Sequence, residues 1–221
     1  MKREIIETKD GSKTIYLPDI NESYHSTHGA IREALHVFIK NGWNQTQQLR
    51  CNILEIGFGT GLNAILTLIQ AQKDKRTVFY TGLESYPISE EEKNQLNYVE
   101  HELIINFSDE YNHLHKVPWE KRVEISHYFF LTKIQKKLND FIPKTDYFDL
   151  IYFDAFAPSV QPEMWTAKVF QKLYDALKVG GIFVTYSAKG DVRRSLQNIG
   201  FTVEKLPGPP GKREMLRAVK N

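Results

Sequence analysis

The chain contains 221 residues, of which 41% are hydrophobic and 25% are charged. This length and balance are typical of one globular domain with a buried core, and they exclude a disordered or fibrous chain. The formal net charge of +2 excludes a polycation, and the single cysteine, Cys51, excludes an internal disulfide and a cysteine-based zinc site. The segment from Lys189 to the C-terminus is basic, with eight Lys or Arg against three Asp or Glu. It suits either an anionic partner or a solvated tail.

The first residues lack the apolar stretch of a signal peptide, and no apolar run reaches the ~20 residues that a membrane helix needs. We therefore expect a soluble cytoplasmic protein with no membrane partner. Next along the chain, residues 4–17 alternate loosely around Asp10-Gly11, which predicts a β-hairpin. Residues 29–40 carry apolar side chains at helical spacing, and Gly42 follows as a stop.

From residue 51 onward, predicted strands alternate with predicted helices. The strands are 51–56, 78–83, 123–129, 148–153, 181–186, 201–206 and 215–219. One helix follows the glycine-rich turn after residue 56, and a second runs from a capping box at Ser89 and Glu92 to about residue 105. The others are a basic helix that exposes Lys133, Lys136 and Lys137, a helix from Pro162 to Gly180-Gly181 with Trp165 in its apolar register, and a helix over 192–199.

This alternation predicts an α/β, Rossmann-like fold with a mostly parallel, seven-stranded sheet. The loop between the last two strands is too short for a crossover helix, so the last strand is expected to run antiparallel.

A glycine-rich turn follows the first strand of this sheet, at Gly57-Phe58-Gly59-Thr60-Gly61, and the second strand ends at Glu84. Glycines let the chain turn sharply and approach a ligand, and the next helix offers free N–H groups. Ligands of open α/β sheets lie at the carboxyl ends of the strands, where an acid such as Glu84 accepts hydrogen bonds from ribose hydroxyls. The pattern therefore predicts a nucleotide-like ligand.

The spacing of the glycines narrows the choice of ligand. The dinucleotide fingerprint requires glycine where Leu62 stands, and there is no Walker lysine, which disfavours a nicotinamide-dependent oxidoreductase and a P-loop. S-adenosylmethionine has no pyrophosphate and fits the loop, with Glu55 beside it to orient it or to meet the ligand's ammonium group. The predicted cofactor contacts here are Glu55, Gly57, Phe58, Gly59, Thr60, Gly61, Asn63, Glu84 and Ser85.

A second acid emerges from the buried fourth strand, in Asp154-Ala155-Phe156-Ala157-Pro158. Its place at the carboxyl edge of the sheet predicts that Asp154 is catalytic. Phe156 and Pro158 are predicted to wall a flat substrate. Trp165 fits either such a wall or the core.

Several of these segments resemble the methyltransferase half of the bacterial tRNA wobble-uridine enzyme family MnmC, which also occurs as stand-alone proteins often called MnmD. The matching segments are 54–63 (LEIGFGTGLN), 154–158 (DAFAP), 162–165 (PEMW), 195–201 (SLQNIGF) and 212–216 (KREML). Upstream, Tyr24-His25-Ser26 and His36-Val37-Phe38 resemble the segment that covers the cofactor in that family. Tyr24 and Ser26 therefore join the predicted cofactor contacts.

The resemblance implies a class I S-adenosylmethionine-dependent methyltransferase. It implies methyl transfer to the primary amine of 5-aminomethyl-2-thiouridine at tRNA position 34, with the anticodon loop as partner. The predicted phosphate contacts are Lys189, Arg193, Arg194, Lys212 and Arg213. We expect residues 1–50 to form an extension on the cofactor side and residues 51–221 to form the methyltransferase domain.

In many family members this domain is fused to an FAD oxidoreductase. No second glycine-rich nucleotide motif occurs in these residues, so we expect no FAD chemistry and a separate enzyme that supplies the amine. The family usually carries a Gly-Asp pair near the adenine after the third strand, where residues 128–132 here read YFFLT. Adenine recognition is therefore left to backbone groups or to another residue.

Some alternatives stay open on the sequence. His25 and His28 suit a cofactor lid better than zinc, and we expect no metal. A class I methyltransferase for a small-molecule or protein amine is one alternative, against which strong, salt-dependent tRNA binding would argue. A non-catalytic RNA-binding module on the same scaffold is the other, and failure to bind S-adenosylmethionine would favour it.

Overall fold

The computed structural model describes residues 2–221. The chain begins with a small antiparallel sheet of three strands, β1 (Glu4–Glu7), β2 (Lys13–Leu17) and β3 (Glu22–Ser23). The predicted hairpin is confirmed, with a short third strand added. The predicted helix at 29–40 is also present, as α1 (Ala30–Ala34) and its π-helical continuation Leu35–Lys40.

The remaining strands form one central sheet. Their bounds are β4 (Arg50–Ile56), β5 (Thr77–Glu84), β6 (Arg122–Ser126), β7 (Phe129–Gln135), β8 (Phe148–Phe153), β9 (Leu177–Thr185), β10 (Phe201–Pro207) and β11 (Glu214–Lys220). The order is β10-β11-β9-β8-β4-β5-β7-β6. β7, β5, β4, β8 and β9 are parallel, whereas β11 runs antiparallel to β9 and β10. The α/β, Rossmann-like class and the antiparallel last strand are confirmed.

Helices cover both faces of this sheet. They are α2 (Leu62–Asp74), α3 (Glu90–Gln95), α4 (Ser108–Lys116), α5 (Ala167–Ala176) and α6 (Gly190–Ile199). Phe38 of the continuation of α1, Ile65 of α2 and Leu114 of α4 belong to the core on one face. Phe170 of α5 and Leu196 of α6 belong to the core on the other face. The central strand β8 is buried along its whole length, as expected for a parallel strand covered on both sides.

The prediction of seven strands was wrong by one, and the basic helix after 129 does not exist. His127 and Tyr128 form a turn, so β6 pairs antiparallel with β7 as an extra edge strand. Lys133 lies on β7 and is buried, with its Nζ donating to the backbone oxygen of His115 at 2.6 Å. The spacing of Lys133, Lys136 and Lys137 favours one face of a helix. In the structure Phe129, Leu131 and Lys133 are buried alternately with their neighbours, as residues of a strand are.

The helix predicted from Ser89 to about residue 105 was also too long. The capping box between Ser89 and Glu92 is confirmed, but α3 ends at Gln95. Asn97 then binds the N-terminal hairpin: its Oδ1 accepts from the Lys13 N–H at 2.8 Å, and its Nδ2 donates to the Gly11 oxygen at 2.8 Å. These long-range bonds, with the full burial of Tyr98, hold the chain out of the helix.

The predicted helix from Pro162 to Gly180-Gly181 is divided. Pro162–Trp165 form a single 3-10 turn, and Thr166 then caps α5 by accepting from the Val169 N–H. α5 ends at Ala176, and the two glycines lie within β9 rather than at a helix end.

The register of the parallel strands sets the position of the site. Ile56 pairs with Phe153, and Glu84 pairs with Gln135, so β4, β5, β7 and β8 end close together at one edge. The third parallel strand thus ends at Gln135, beyond the segment 128–132 where the family's adenine contact was expected. Within residues 2–221, no helix is both long enough and apolar enough to cross a membrane.

Candidate active site

A cleft of about 1160 Å³ opens at the carboxyl edge of the central sheet. The glycine loop after β4, Glu84 at the end of β5 and the Asp154 loop after β8 all line it. The N-terminal segment around Tyr24 and Ser26 and the C-terminal loop at Lys212 supply further walls. The structure thus brings together residues from both ends of the chain.

The glycine loop has a backbone that other residues adopt with difficulty. Gly57, Gly59 and Gly61 have φ values of +89°, +51° and +71°. A Cβ on Gly57 would lie 2.5 Å from the backbone oxygen of Asp154. The loop therefore packs directly against the start of the Asp154 loop, and at Gly57 this approach requires glycine.

Two side chains of α4 hold the loop from beneath. Tyr111 donates its hydroxyl to the Thr60 oxygen at 3.0 Å, and the His115 Nε2 lies 3.1 Å from the same oxygen. Burial lowers the pKa of His115 to about 4, so its neutral ring can donate one N–H to Thr60. The Phe58 ring is buried against Gly82 and His115, where it supports the loop. The support from α4 was not predicted, because α4 itself was missed.

The Glu84 carboxylate joins the loop to the segment after β5. Its Oε2 accepts from the Gly59 N–H at 2.9 Å, and its Oε1 accepts from the Tyr86 N–H at 2.8 Å. Each carboxylate oxygen can accept more than one hydrogen bond, so the group retains capacity for ligand hydroxyls. Ser85, which follows it, also lines the cleft.

We expect Glu84→Ala to weaken S-adenosylmethionine binding at least about tenfold, because charge-assisted hydrogen bonds contribute roughly 1.5–3 kcal/mol each. Glu84→Gln keeps an acceptor for the Gly59 N–H and should lose less affinity. Isothermal titration calorimetry on both variants measures the difference. Unchanged affinity in Glu84→Ala would contradict the assignment.

A buried amide connects two acids at the floor of the cleft. The Asn63 Nδ2 group donates to Glu55 Oε1 at 2.8 Å and to Asp154 Oδ2 at 2.9 Å. Glu55 is fully buried, and this burial raises the pKa of its carboxyl well above the usual range. Burial first, and the charge of Glu33 second, raise the pKa of Asp154 to about 7. Glu55 therefore contacts Asn63 from below, while Asp154 reaches the cleft.

An ion pair between Glu33 and Lys212 also lies in the cleft, and it was not predicted from the sequence. Glu33 on α1 accepts from Lys212 Nζ and, at 2.8 Å, from the Ser26 N–H. The same ammonium lies 3.7 Å from the centre of the Tyr186 ring, and Tyr186 follows β9 at the carboxyl edge. Its position at the end of a strand is the sequence feature that could have identified Tyr186 as a site residue. Glu33 offered none in the sequence, because its partner Lys212 is 179 residues away. Lys212 was predicted as a phosphate contact, but it lies inside the cleft.

The aromatic residues divide into two groups. Tyr24 packs edge-on to Phe156 at 5.3 Å between ring centres and lies next to Gly59. Both rings line the cleft. Trp165 is buried against Phe153, and its Nε1 donates to the Phe156 oxygen at 2.8 Å, so it supports the Asp154 loop from the core. Pro158, in the same loop, is half-buried and is not part of the cleft lining.

The remaining predicted phosphate contacts are not part of the cleft lining. Lys189 and Arg213 are exposed, Arg193 is half-buried, and Arg194 pairs with Asp191 on α6. His25 lines the cleft and is buried beside Thr14, whereas His28 is outside the lining and packs against Gly211. Within residues 2–221 there is no group of three or more side chains suited to a metal ion. Leu138, just beyond β7, lines the cleft where the adenine contact was sought.

These residues fit S-adenosylmethionine. The glycine loop presents bare backbone at Gly57 and Gly59, where a Cβ would come against Asp154 or Tyr24. Glu84 lines the cleft beside this loop. Thr60 Oγ1 and Asn63 Oδ1, at the same loop and helix start, are buried without a hydrogen-bond partner. Buried polar atoms of this kind call for a partner, which a polar ligand can provide. The sheet order, the loop and the two acids together define a class I S-adenosylmethionine-dependent methyltransferase.

The comparisons with known proteins agree. Residues 94–221 match the family model described as S-adenosyl-L-methionine-dependent methyltransferase, and the chain belongs to this family. The tRNA 5-methylaminomethyl-2-thiouridine biosynthesis bifunctional protein MnmC of Cupriavidus metallidurans is 31% identical over 96% of the chain and 33% of that protein. Its namesake from Leptospira interrogans is 34% identical over 89% of the chain and 32% of that protein. The chain thus spans about a third of these relatives.

Among solved structures, MNMC2 from Aquifex aeolicus matches the whole chain and 70% of its own chain. The TM-score is 0.80 and the sequence identity 26%. The fold and the cofactor that the resemblance implied are therefore confirmed, and S-adenosylmethionine is the cofactor of this chain's family.

Proposed function

We propose that this chain transfers a methyl group from S-adenosylmethionine to the primary amine of 5-aminomethyl-2-thiouridine at tRNA position 34. The product is 5-methylaminomethyl-2-thiouridine. The similarity to bifunctional proteins named for biosynthesis of that nucleoside supports the choice of substrate. We further propose that a separate enzyme supplies the aminomethyl group and that the protein acts in the cytoplasm.

The observation that carries the proposal is the acidic floor of the cleft. Asp154 is held by Asn63, whose helix begins at the glycine loop, so one residue connects the cofactor loop to the acid. Glu33 adds a second carboxylate to the cleft. An amine is the acceptor that such a site suits, because carboxylates accept its hydrogen bonds and stabilise its positive charge.

The cofactor supplies an activated methyl group on a sulfonium. The protein must therefore align the acceptor and give it a free lone pair. An alkylammonium titrates near ~10, so most of the substrate arrives protonated. The Asp154 carboxylate is expected to accept a hydrogen bond from the amine and to orient its lone pair. With a pKa of about 7, it also takes up a proton more readily than an ordinary aspartate.

The walls of the cleft suit a base that is turned out of a loop. Anticodon-loop bases are unpaired, so stacking surfaces suffice to hold them. Phe156 and Tyr24 provide adjacent rings at the cleft, and Trp165 fixes the Phe156 backbone from behind. We propose that Phe156 contacts the thiouridine and that Tyr24 and Ser26 cover the cofactor.

The experiment that tests the proposal is labelled methyl transfer to tRNA carrying 5-aminomethyl-2-thiouridine, followed by nucleoside mass spectrometry. We expect a gain of one methyl on that nucleoside and no gain on tRNA with unmodified uridine at position 34. Intact cofactor binding without transfer to this tRNA would contradict the proposed substrate. Transfer to free amines or to protein would then favour a methyltransferase for one of those acceptors.

A further inference from the structure

The helix that supplies Glu33 to the cleft carries a row of basic side chains on its outer side. Arg32, His36 and Lys40 follow one another at intervals of four residues along α1 and its continuation. Arg32 and Lys40 are exposed, and neither forms an ion pair within residues 2–221. We call these three residues the N-terminal basic ridge.

The ridge is continuous with the rim of the cleft. His36 Nε2 lies 2.7 Å from the Pro207 oxygen, at the start of the loop that carries Lys212 and Arg213. His28 packs against Gly211 of that loop, and the Lys9 ammonium lies 3.4 Å from His28 Nδ1. Lys9 and Arg213 are both exposed and add two further cations to this surface.

Three acids near this surface already have partners. Glu33 binds Lys212, and Glu214 pairs with Lys205 at 2.7 Å. Asp10 accepts hydrogen bonds from Thr8, Ser12 and the Arg32 N–H. Asp10 keeps its charge, but neither Arg32 nor Lys40 forms an ion pair within residues 2–221, so both cations can meet an external anion.

The basic residues of α6, which the sequence predicts as phosphate contacts, differ in this respect. Arg194 is paired with Asp191, and Arg193 is half-buried beside β11. Lys189 is left as the exposed, unpaired cation of that helix among the described residues. On charge, the N-terminal side of the cleft is the better surface for a polyanion.

We propose that the N-terminal basic ridge, with Lys9 and Arg213, binds the phosphate backbone of the RNA whose base enters the cleft. This inference rests on the proposed function, because it takes RNA as the substrate. A base in the cleft brings its neighbouring phosphates over the rim, where cations position the strand without reading sequence. The extension thus serves as the RNA-binding side of the enzyme.

The test is equilibrium binding of an unmodified tRNA transcript to the full chain at several salt concentrations. Arg32→Glu/Lys40→Glu should weaken binding at least about tenfold and lower the salt slope by roughly 0.7–0.9 for every phosphate that the ridge no longer neutralises. S-adenosylmethionine affinity and the thermal midpoint should stay as in the wild type. Lys121→Glu/Arg122→Glu is the matched control: one Lys and one Arg, both exposed, where edge strand β6 begins, at the opposite end of the sheet from β10 and β11.

Equal loss of affinity in the control pair, or none in the ridge pair, would overturn the inference. A larger loss in Arg193→Glu/Arg194→Glu than in the ridge pair would also overturn it. The outcomes are separable from those of the proposed function. Ridge-dependent tRNA binding without methyl transfer upholds the surface and contradicts the substrate, whereas transfer with unchanged affinity in the ridge pair does the reverse.

Discussion

Asp154→Asn is expected to reduce methyl transfer by roughly 10²–10⁴-fold, the range typical of a lost acid–base group. The amide can still bind Asn63, so the glycine loop and its affinity for S-adenosylmethionine should remain. Asparagine cannot take up a proton from the substrate amine or stabilise its charge. Single-turnover transfer with saturating cofactor measures this effect without a contribution from cofactor binding.

The same substitution should alter the pH dependence of stability in a defined direction. Burial raises the pKa of Asp154 from 3.8 to about 7, so between these values the folded chain binds more protons than the unfolded chain. Ionised Asp154 therefore costs stability, and this cost grows as the pH rises from about 4 to about 7. Asp154→Asn should unfold at a higher temperature than the wild type at pH 8, with a smaller gain at pH 5.

Asp140→Asn serves as the control, because Asp140 is exposed and lies away from the cleft lining. It should change neither methyl transfer nor the pH dependence of the thermal midpoint. Wild-type turnover in Asp154→Asn would contradict the catalytic assignment. A stability gain that is larger at pH 5 than at pH 8 would contradict the raised pKa.

Gly57→Ala is expected to abolish S-adenosylmethionine binding. The new Cβ would lie 2.5 Å from the Asp154 oxygen and 3.2 Å from the Asp154 carbonyl carbon, so backbone must move. Either the glycine loop or the catalytic loop shifts, and both line the cleft. We expect no S-adenosylmethionine binding by calorimetry and no detectable methyl transfer.

Gly180→Ala is the control that separates the effect of this steric contact from the effect of a left-handed backbone. Gly180 has φ +75°, close to the +89° of Gly57, but a Cβ on Gly180 would have no neighbouring atom within 4 Å. The left-handed backbone costs roughly 1–2 kcal/mol of stability, and we expect Gly180→Ala to lose about that much while keeping full activity. If Gly57→Ala lowers stability no more than Gly180→Ala and still binds cofactor, the packing argument fails. Gly59→Ala, whose Cβ would meet Tyr24 at 3.4 Å, should be the milder loop variant.

Much of the site followed from local patterns. The glycines at 57, 59 and 61 had to turn the chain, and Glu84 and Asp154 each end an apolar strand. In a parallel sheet such ends meet at one edge, so these residues could be placed together before any contact was known. Their roles toward cofactor and substrate remain proposals that the variants above test.

Other features depended on partners far along the chain. The apolar run at 123–135 suits one strand or two, and only the turn at His127-Tyr128 and pairing with β5 place Lys133 on a buried strand. The predicted helix continues beyond Gln95, but hydrogen bonds between Asn97 and the N-terminal hairpin end α3 there. Local propensity is weak compared with such contacts, and tertiary packing overrides it.

The ion pair between Glu33 and Lys212 shows most clearly that local sequence does not reveal contacts between distant residues. Periodicity at 29–40 predicts a helix, and the basic C-terminal segment suits an anionic partner or a solvated tail, but neither indicates that Glu33 binds Lys212. That contact requires α1 and the loop before β11 to converge on the same cleft. Local sequence therefore specified the strand ends, the glycine turn and their acids, because these depend on neighbouring residues. The packing of the two chain ends decided which charges face the substrate and which remain free on the surface.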